Sequence, residues 1–169
     1  GELMPLDLST VERDQHPASF AELARDAALT LHARHHSIDP NSAKRVSFGL
    51  VRMANIEPLV EGALALYRLG APEGVRIHLC TYHSQFPLLL RSAIERQLDE
   101  SLNRRWPDIA KPEPVFELPD IRRRLDQHEE PDHLFIVLGS PVTEVGRDHD
   151  YDWAVVEPSS VRSLIQLAG

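Results

Sequence analysis

The sequence predicts an α/β fold with a mostly parallel central sheet and helices on both faces. From Val46 onward, short apolar strand patterns alternate with helical ones, the arrangement that builds a parallel sheet. One of these strands, HLFIVLG, is apolar almost throughout, as a strand covered on both faces must be. At 169 residues and 42% hydrophobic, the chain can bury one substantial core.

The first stretch differs from the rest. Ser19 and Glu22 have the spacing of a capping box, and Phe20, Leu23, Ala24, Ala27 and Leu31 recur at helical intervals. These predict a helix over 19–33, ended by the polar break SIDPNSAK, so residues 1–45 read as a helical connecting arm. The domain proper, 46–169, opens with the strand VSFGLVR. A helix over 57–69 follows, with Pro58 in its first turn and Gly70 beyond its end. The run VRIHLCTY is a second strand, and PLLLRSAIERQLDESLNRR a long helix after it. Proline breaks the stretch 106–119 into a loop, and Asp120 is placed to cap a short helix over 120–127. HLFIVLG and DWAVVE supply two more strands, and Ser159 or Ser160 opens a last helix. That helical pattern is still running at SLIQLAG, so the chain reads as an excised domain.

Composition narrows the function. No apolar run approaches the roughly 18 residues that span a bilayer, and the N-terminal GELMPLDLST lacks a signal-peptide pattern, so no membrane partner is expected. The single cysteine, Cys80, permits no internal disulfide, which fits a reducing cytoplasm. A formal net charge of −8 argues against a generally basic nucleic-acid face. Any nucleic-acid contact would use local arginines, hydroxyls and backbone amides.

In parallel sheets, ligands gather at the carboxyl ends of the strands. After HLFIVLG comes GSPVTEVGRDHDYD, which offers the Ser140 hydroxyl, Pro141, Val142, then Gly146 and Asp148. Glycine lets a backbone approach phosphate or ribose, and a carboxylate two residues on can accept from a ribose hydroxyl. After DWAVVE, the residues Val161, Leu164, Ile165 and Ala168 share one helical face and Gln166 lies off it. Taken alone, the first segment reads equally as a plain turn, and Gln166 reads as a solvated side chain on a packed helix.

Together they resemble motifs V and VI of superfamily 2 helicases. S-x-x-x-E-x-G-x-D starts at Ser140, and S-x-x-Q-x-x-G ends at Gly169, one residue before the family's arginine finger. Ser140 stands where threonine is usual, and Arg147 where an apolar residue is usual. Upstream, YHSQFPLLLRSAIE resembles the H-S-R-F-x-x-x-x-R-x-x-x-E element of the type I CRISPR-associated helicase–nucleases, with Gln85 replacing an arginine. VSFGLVRMANI is similar to their opening strand and helix, with Gly49 and Leu50 replacing N-T. The wording RDHDYDWAVVEPSS and RMANI looks most like the subtype I-F form, fused to the adaptation endonuclease.

The resemblance covers about residues 46–169 and implies a RecA-like helicase lobe, the second of two. It further implies an ATP-dependent 3′-to-5′ motor on single-stranded DNA, joined to a nuclease that degrades invading DNA with its own divalent metals. Gly146, Asp148 and Gln166 would face ATP. Ser140, Pro141, Val142, His83, Ser84 and Arg91 would face the DNA backbone. ATP and Mg²⁺ would be held mainly by the first RecA-like lobe, because no G-x-x-x-x-G-K-[ST] loop occurs here. The fragment therefore contains no catalytic residue of its own and should hydrolyse nothing alone. Implied partners are the first lobe, the nuclease domain, the CRISPR RNA-guided surveillance complex and the adaptation integrase.

Other readings stand beside these. The helicase lobe of a non-CRISPR translocase, or a RecA-like lobe kept only for docking, shares most of the pattern. His32, His35 and His36 have a spacing that suits a metal on one helix face, or else simply a basic helix C-terminus. RDHDYD crowds carboxylates around a histidine, but neighbours in a turn point apart. Arg122, Arg123 and Arg124 form either a phosphate-contacting run or a solvated helix face balanced by Asp126, Glu129 and Glu130.

Overall fold

The computed structural model describes residues 9–103, 113–141 and 149–157. Helix α1 (His16–Arg34) leads into strands β1 (Ser37–Ile38) and β2 (Arg45–Arg52), then α2 (Ile56–Leu69), β3 (Val75–Tyr82) and α3 (Leu88–Leu102). A 3₁₀ turn (Pro114–Glu117), α4 (Pro119–Gln127), β4 (Asp132–Gly139) and β5 (Trp153–Val156) complete it. The sheet runs β3–β4–β2, with β5 parallel to the second half of β2 and β1 antiparallel to its start. The predicted α/β fold, with a mostly parallel sheet and helices on both faces, is what forms.

Alternation along the strands separates two cores. On one face, Val51, Leu134, Ile136, Leu138 and Trp153 meet α1 and α2 through Ala21, Ala28, Leu59, Ala63 and Leu66. On the other, Val46, Phe48, Leu50 and Val137 meet α3, the 3₁₀ turn and α4 through Leu98, Leu102, Phe116, Ile121 and Leu125. The helix expected in a connecting arm thus packs into the same core as the sheet. Its buried face is mostly alanine (Ala21, Ala24, Ala27, Ala28), and Phe20 lies where a Cβ on Gly62 of α2 would sit, so the two helices approach closely.

A directed hydrogen-bond chain crosses this first core. Trp153 Nε1–H donates to Ser47 Oγ (3.0 Å), Ser47 to His32 Nδ1 (2.7 Å), and His32 Nε2–H to Asp132 Oδ1 (2.9 Å). Arg45 closes it with two bonds to Asp132, both 2.5 Å. The order of donors requires the neutral Nε2–H tautomer of His32. Burial, partly offset by Asp132, lowers the His32 pKa and favours that neutral form.

Several local expectations are corrected. α1 starts at His16, with Pro17 pre-set for the first turn and no side-chain cap, so Ser19 lies inside the helix rather than at its cap. Asp120 caps nothing; it bonds Arg123 (2.5 Å) and Gln97 (3.3 Å). Both nitrogens of His32 are occupied by Ser47 and Asp132, and His36 donates to the His32 carbonyl oxygen, so the three histidines do not converge. Arg123 and Arg124 are exposed, as a solvated helix face requires, and Arg122 pairs with Asp126 as expected (3.0 Å) but also turns inward. It forks onto the buried Asp39 through two 2.9 Å bonds, which hold that carboxyl below its usual range against the effect of burial. The expected strand 152–157 forms over Trp153–Val156, and the last helix lies outside the described residues.

Two measurements check this packing. The Trp153 ring occupies the space into which a Cβ at Gly49 would project. Gly49→Ala should cost about 2–3 kcal/mol by overpacking, and a smaller residue at 153 should recover part of it in urea unfolding. The second test is pH. His78 Nε2–H donates to His133 Nδ1 (3.1 Å), and His133 Nε2–H to the Glu130 carbonyl (3.0 Å), an arrangement of neutral rings. Burial, and secondarily neighbouring cations, lower His78 to about 3 and His133 to about 4 from 6.5. The unfolded chain therefore binds more protons in this window. Stability should be full above pH 6.5 and fall as pH drops toward 4, by up to about 1.4 kcal/mol per pH unit for each histidine. His78→Phe should flatten the fall; a profile level down to pH 4 would contradict it.

Candidate nucleic-acid interface

Register places the site. Gly139 at the end of β4 lies opposite Arg52 of β2 on one side and Tyr82 of β3 on the other, and Arg52 lies opposite Val156 of β5. Four strands therefore end at one level. Backbone bonds continue past it: Met53 N–H to Gly139 O (2.9 Å), Ser140 N–H to Tyr82 O (3.2 Å) and Glu157 N–H to Arg52 O (2.9 Å).

This brings His83 and Ser140 together, each the first residue beyond an adjacent strand. Both are buried, at 8% and 3% exposure. The His83 ring stacks on Phe86 with centroids 4.0 Å apart, and Phe86 N–H closes the turn onto His83 O (3.4 Å). The turn leaves Ser84 exposed, and Pro87 ends it just before α3. His83 Nδ1 is buried and has no hydrogen-bond partner among the described residues. Pro141 is exposed beside Ser140.

Arg91 stands one turn into α3, with its Nε 3.6 Å from Glu95 Oε1. Glu95 in turn accepts from the hydroxyl of Tyr82, the buried last residue of β3. Thus the strand end, the following turn and the first two turns of α3 are tied into one unit. Sequence reading passed over two further residues here. Arg52 is buried, and its Nη1 donates to Glu157 O (2.9 Å); Glu157 Oε2 accepts from Ala54 N–H (2.7 Å). Arginine at the end of an apolar strand, followed by the RMANI turn, was the available signal.

Val142, Gly146, Asp148 and Gln166 lie outside the described residues. The residues just after Asp148 diverge, as neighbours in a turn do. His149 donates to Asp99 of α3 (2.8 Å), and Tyr151 packs into the second core, where burial raises its phenol pKa. Asp152 Oδ2 accepts from Phe48 N–H (2.7 Å). Among the described residues, no three His, Cys, Asp or Glu side chains converge on a common point that could hold a cation. No helix among them is long and apolar enough to cross a membrane.

Residues 45–169 match the family described as CRISPR-associated nuclease/helicase Cas3, C-terminal. The chain is 60% identical over 159 residues to a CRISPR-associated nuclease/helicase Cas3 of subtype I-F/YPEST from Pseudomonas aeruginosa, covering 92% of this chain and 14% of the relative. It is 43% identical over 167 residues to the protein of that description from Pectobacterium atrosepticum, covering 99% of this chain and 15% of the relative. The chain thus spans about one seventh of the length of these relatives. Both matches extend beyond residues 45–169 into the α1 segment.

Proposed function

The chain belongs to the family of CRISPR-associated nuclease/helicase Cas3 C-terminal domains, and from that premise we propose that it lines one side of a DNA track and one side of an ATP site. In this reading the full-length protein is an ATP-dependent 3′-to-5′ translocase on single-stranded DNA. It feeds a separate nuclease domain that carries its own divalent metals. The surveillance complex that exposes the DNA strand, and the adaptation integrase, are the partners the reading assigns to the whole protein.

One observation carries the reading: the common level at which four strands end, with His83 and Ser140 side by side just beyond it. Ser140, Pro141 and Val142 then approach the DNA backbone after β4, while His83, Ser84 and Arg91 approach it after β3. Hydroxyls, backbone amides and one arginine suit this chain, whose net charge of −8 makes a broad electrostatic footprint unavailable. Phosphate contacts of this kind position a strand without reading its sequence, as a translocase requires.

Gly146 and Asp148 are assigned to the ribose side of ATP and Gln166 to the γ-phosphate. The nucleotide, when bound, supplies the phosphoanhydride whose cleavage drives movement. Mg²⁺ and the phosphates fall mainly to the first lobe, since this chain lacks a phosphate-cradling glycine loop. Its own contribution is to hold the ribose hydroxyl on a carboxylate.

Two substitutions in the full-length protein separate the halves. Ser140→Ala removes one hydroxyl contact, so single-stranded DNA affinity should fall several-fold, about 1 kcal/mol, with ATP affinity kept. Asp148→Ala removes a charge-assisted bond and should raise the ATP requirement or lower the maximal rate by about 1.5–3 kcal/mol, with DNA binding kept in the absence of ATP. Both must melt near the parent's temperature. Loss of DNA binding in Asp148→Ala, with Ser140→Ala unaffected, would reverse the assignment.

A further inference from the structure

Three leucines in a row open α3, and the backbone contacts proposed above use none of them. Leu88, Leu89 and Leu90 are 68%, 87% and 47% exposed. None of the three joins either core, which α3 enters further along through Ile94, Leu98 and Leu102. Successive residues of a helix point about 100° apart, so three in a row cannot share one buried face. Adjacent exposed apolar side chains, unlike scattered ones, mark an interaction surface.

The neighbourhood indicates what that surface meets. The turn before the leucines begins at His83, beside Ser140, and its Ser84, Gln85 and Pro87 are exposed. Leu88 and Arg91 are three residues apart, so they lie on one face of α3, about 4.5 Å along its axis. The charge pattern agrees. In a chain with 26 acidic residues, none occurs between Glu73 and Glu95, and none between Asp132 and Glu144. The strands β3 and β4 thus reach the carboxyl edge of the sheet without a carboxylate beyond them, as a surface for a polyanion should. Glu95, the first to follow, is engaged by Tyr82 and Arg91. Leucine offers nothing to a phosphate. It can receive the other side of a single strand, the faces of unpaired bases.

We propose that Leu88 and Leu89 form an apolar step that carries the bases of single-stranded DNA, next to the groups that hold its backbone. The inference rests on the backbone path along Ser140, His83, Ser84 and Arg91 assigned above. A base resting on the step sheds water from one face. Contact with that flat face, rather than with the hydrogen-bonding edge, is tolerant of sequence, as a motor that passes over every sequence requires. A duplex keeps its bases stacked inside, so the step favours single strands.

The test is binding by the full-length protein, without ATP, to two single strands of equal length. One has a mixed sequence; the other is abasic, with the same sugar–phosphate backbone. The parent should bind the mixed-sequence strand more tightly. Leu88→Ala combined with Leu89→Ala should weaken binding of that strand about five-fold through lost apolar contact, and change binding of the abasic strand by less than about two-fold. Leu88→Met combined with Leu89→Met keeps the apolar surface and should bind both strands like the parent. Ser140→Ala removes a backbone contact and should weaken both strands alike. Unchanged affinity of the double alanine variant for the mixed-sequence strand overturns the step. So does an equal loss on both strands, or a lowered melting temperature, which would mean that the leucines pack against another part of the protein. Where Ser140→Ala weakens neither strand, the backbone path itself falls; where it weakens both and the double alanine variant shows no selective loss, only the base contact does.

Discussion

The site depends on the register of β4 between its two neighbours. All eight residues of β4 pair with β2 on one side and β3 on the other, so Gly139, Arg52 and Tyr82 reach one level. A slip of one residue would turn every side chain to the opposite face. It would also move Ser140 away from His83. What opposes the slip is side-chain fit on both faces: Phe48 stacks on Phe135 at 5.0 Å on one, while Leu134, Ile136 and Leu138 fill the core beneath α1 and α2 on the other. The fourth strand is added by a steric device, the Trp153 ring lying over Gly49. The family pattern that VSFGLVR resembles carries asparagine at this place, and a side chain of that size would collide with the ring. Glycine at 49 and tryptophan at 153 therefore make sense only as a pair.

The chain from Trp153 through Ser47 and His32 to Asp132 serves the same register from the α1 side. It joins β5, β2, α1 and β4 with each donor aimed at the next acceptor. Buried networks of this type are stabilising when every member is satisfied and costly when one is missing. Its ionic end is explicit: the two bonds from Arg45 are the first reason that the Asp132 carboxyl is held below its ordinary range. α1 lies outside the residues that match the family, yet its histidine completes the network under the sheet.

The two central strands, β2 and β4, were legible because burial on two faces leaves a near-continuous apolar run, whereas β3 and β5 are only partly buried and were read from their alternation with helices. The helix boundaries were less so. Pro17 sets the start of α1 more strongly than the Ser19–Glu22 spacing, and Leu118 and Pro119 start α4 without the carboxylate of Asp120. The two-residue β1 has no pattern of its own; it exists because β2 offers an edge at Val46. Polar partners over long separations left no trace in sequence spacing, so His32 with Asp132, Arg122 with Asp39, and Tyr82 with Glu95 were seen only in three dimensions. Of the strand-end cluster, Ser140 was legible from the rule that ligands gather beyond strand ends, and His83 from the resemblance of YHSQFPLLLRSAIE to a family element. Arg52 was not, because it reads as the end of a strand.

The central claim is that DNA meets this lobe at the carboxyl edge of the sheet. Hydrogen–deuterium exchange on the full-length protein, with and without single-stranded DNA, tests it most directly. Bound DNA should slow exchange in the turn and first helical turn over 83–91 and just beyond Gly139, and leave the opposite edge, 70–75 and 128–132, unchanged. Protection confined to that opposite edge, with 83–91 unaffected, would contradict the account.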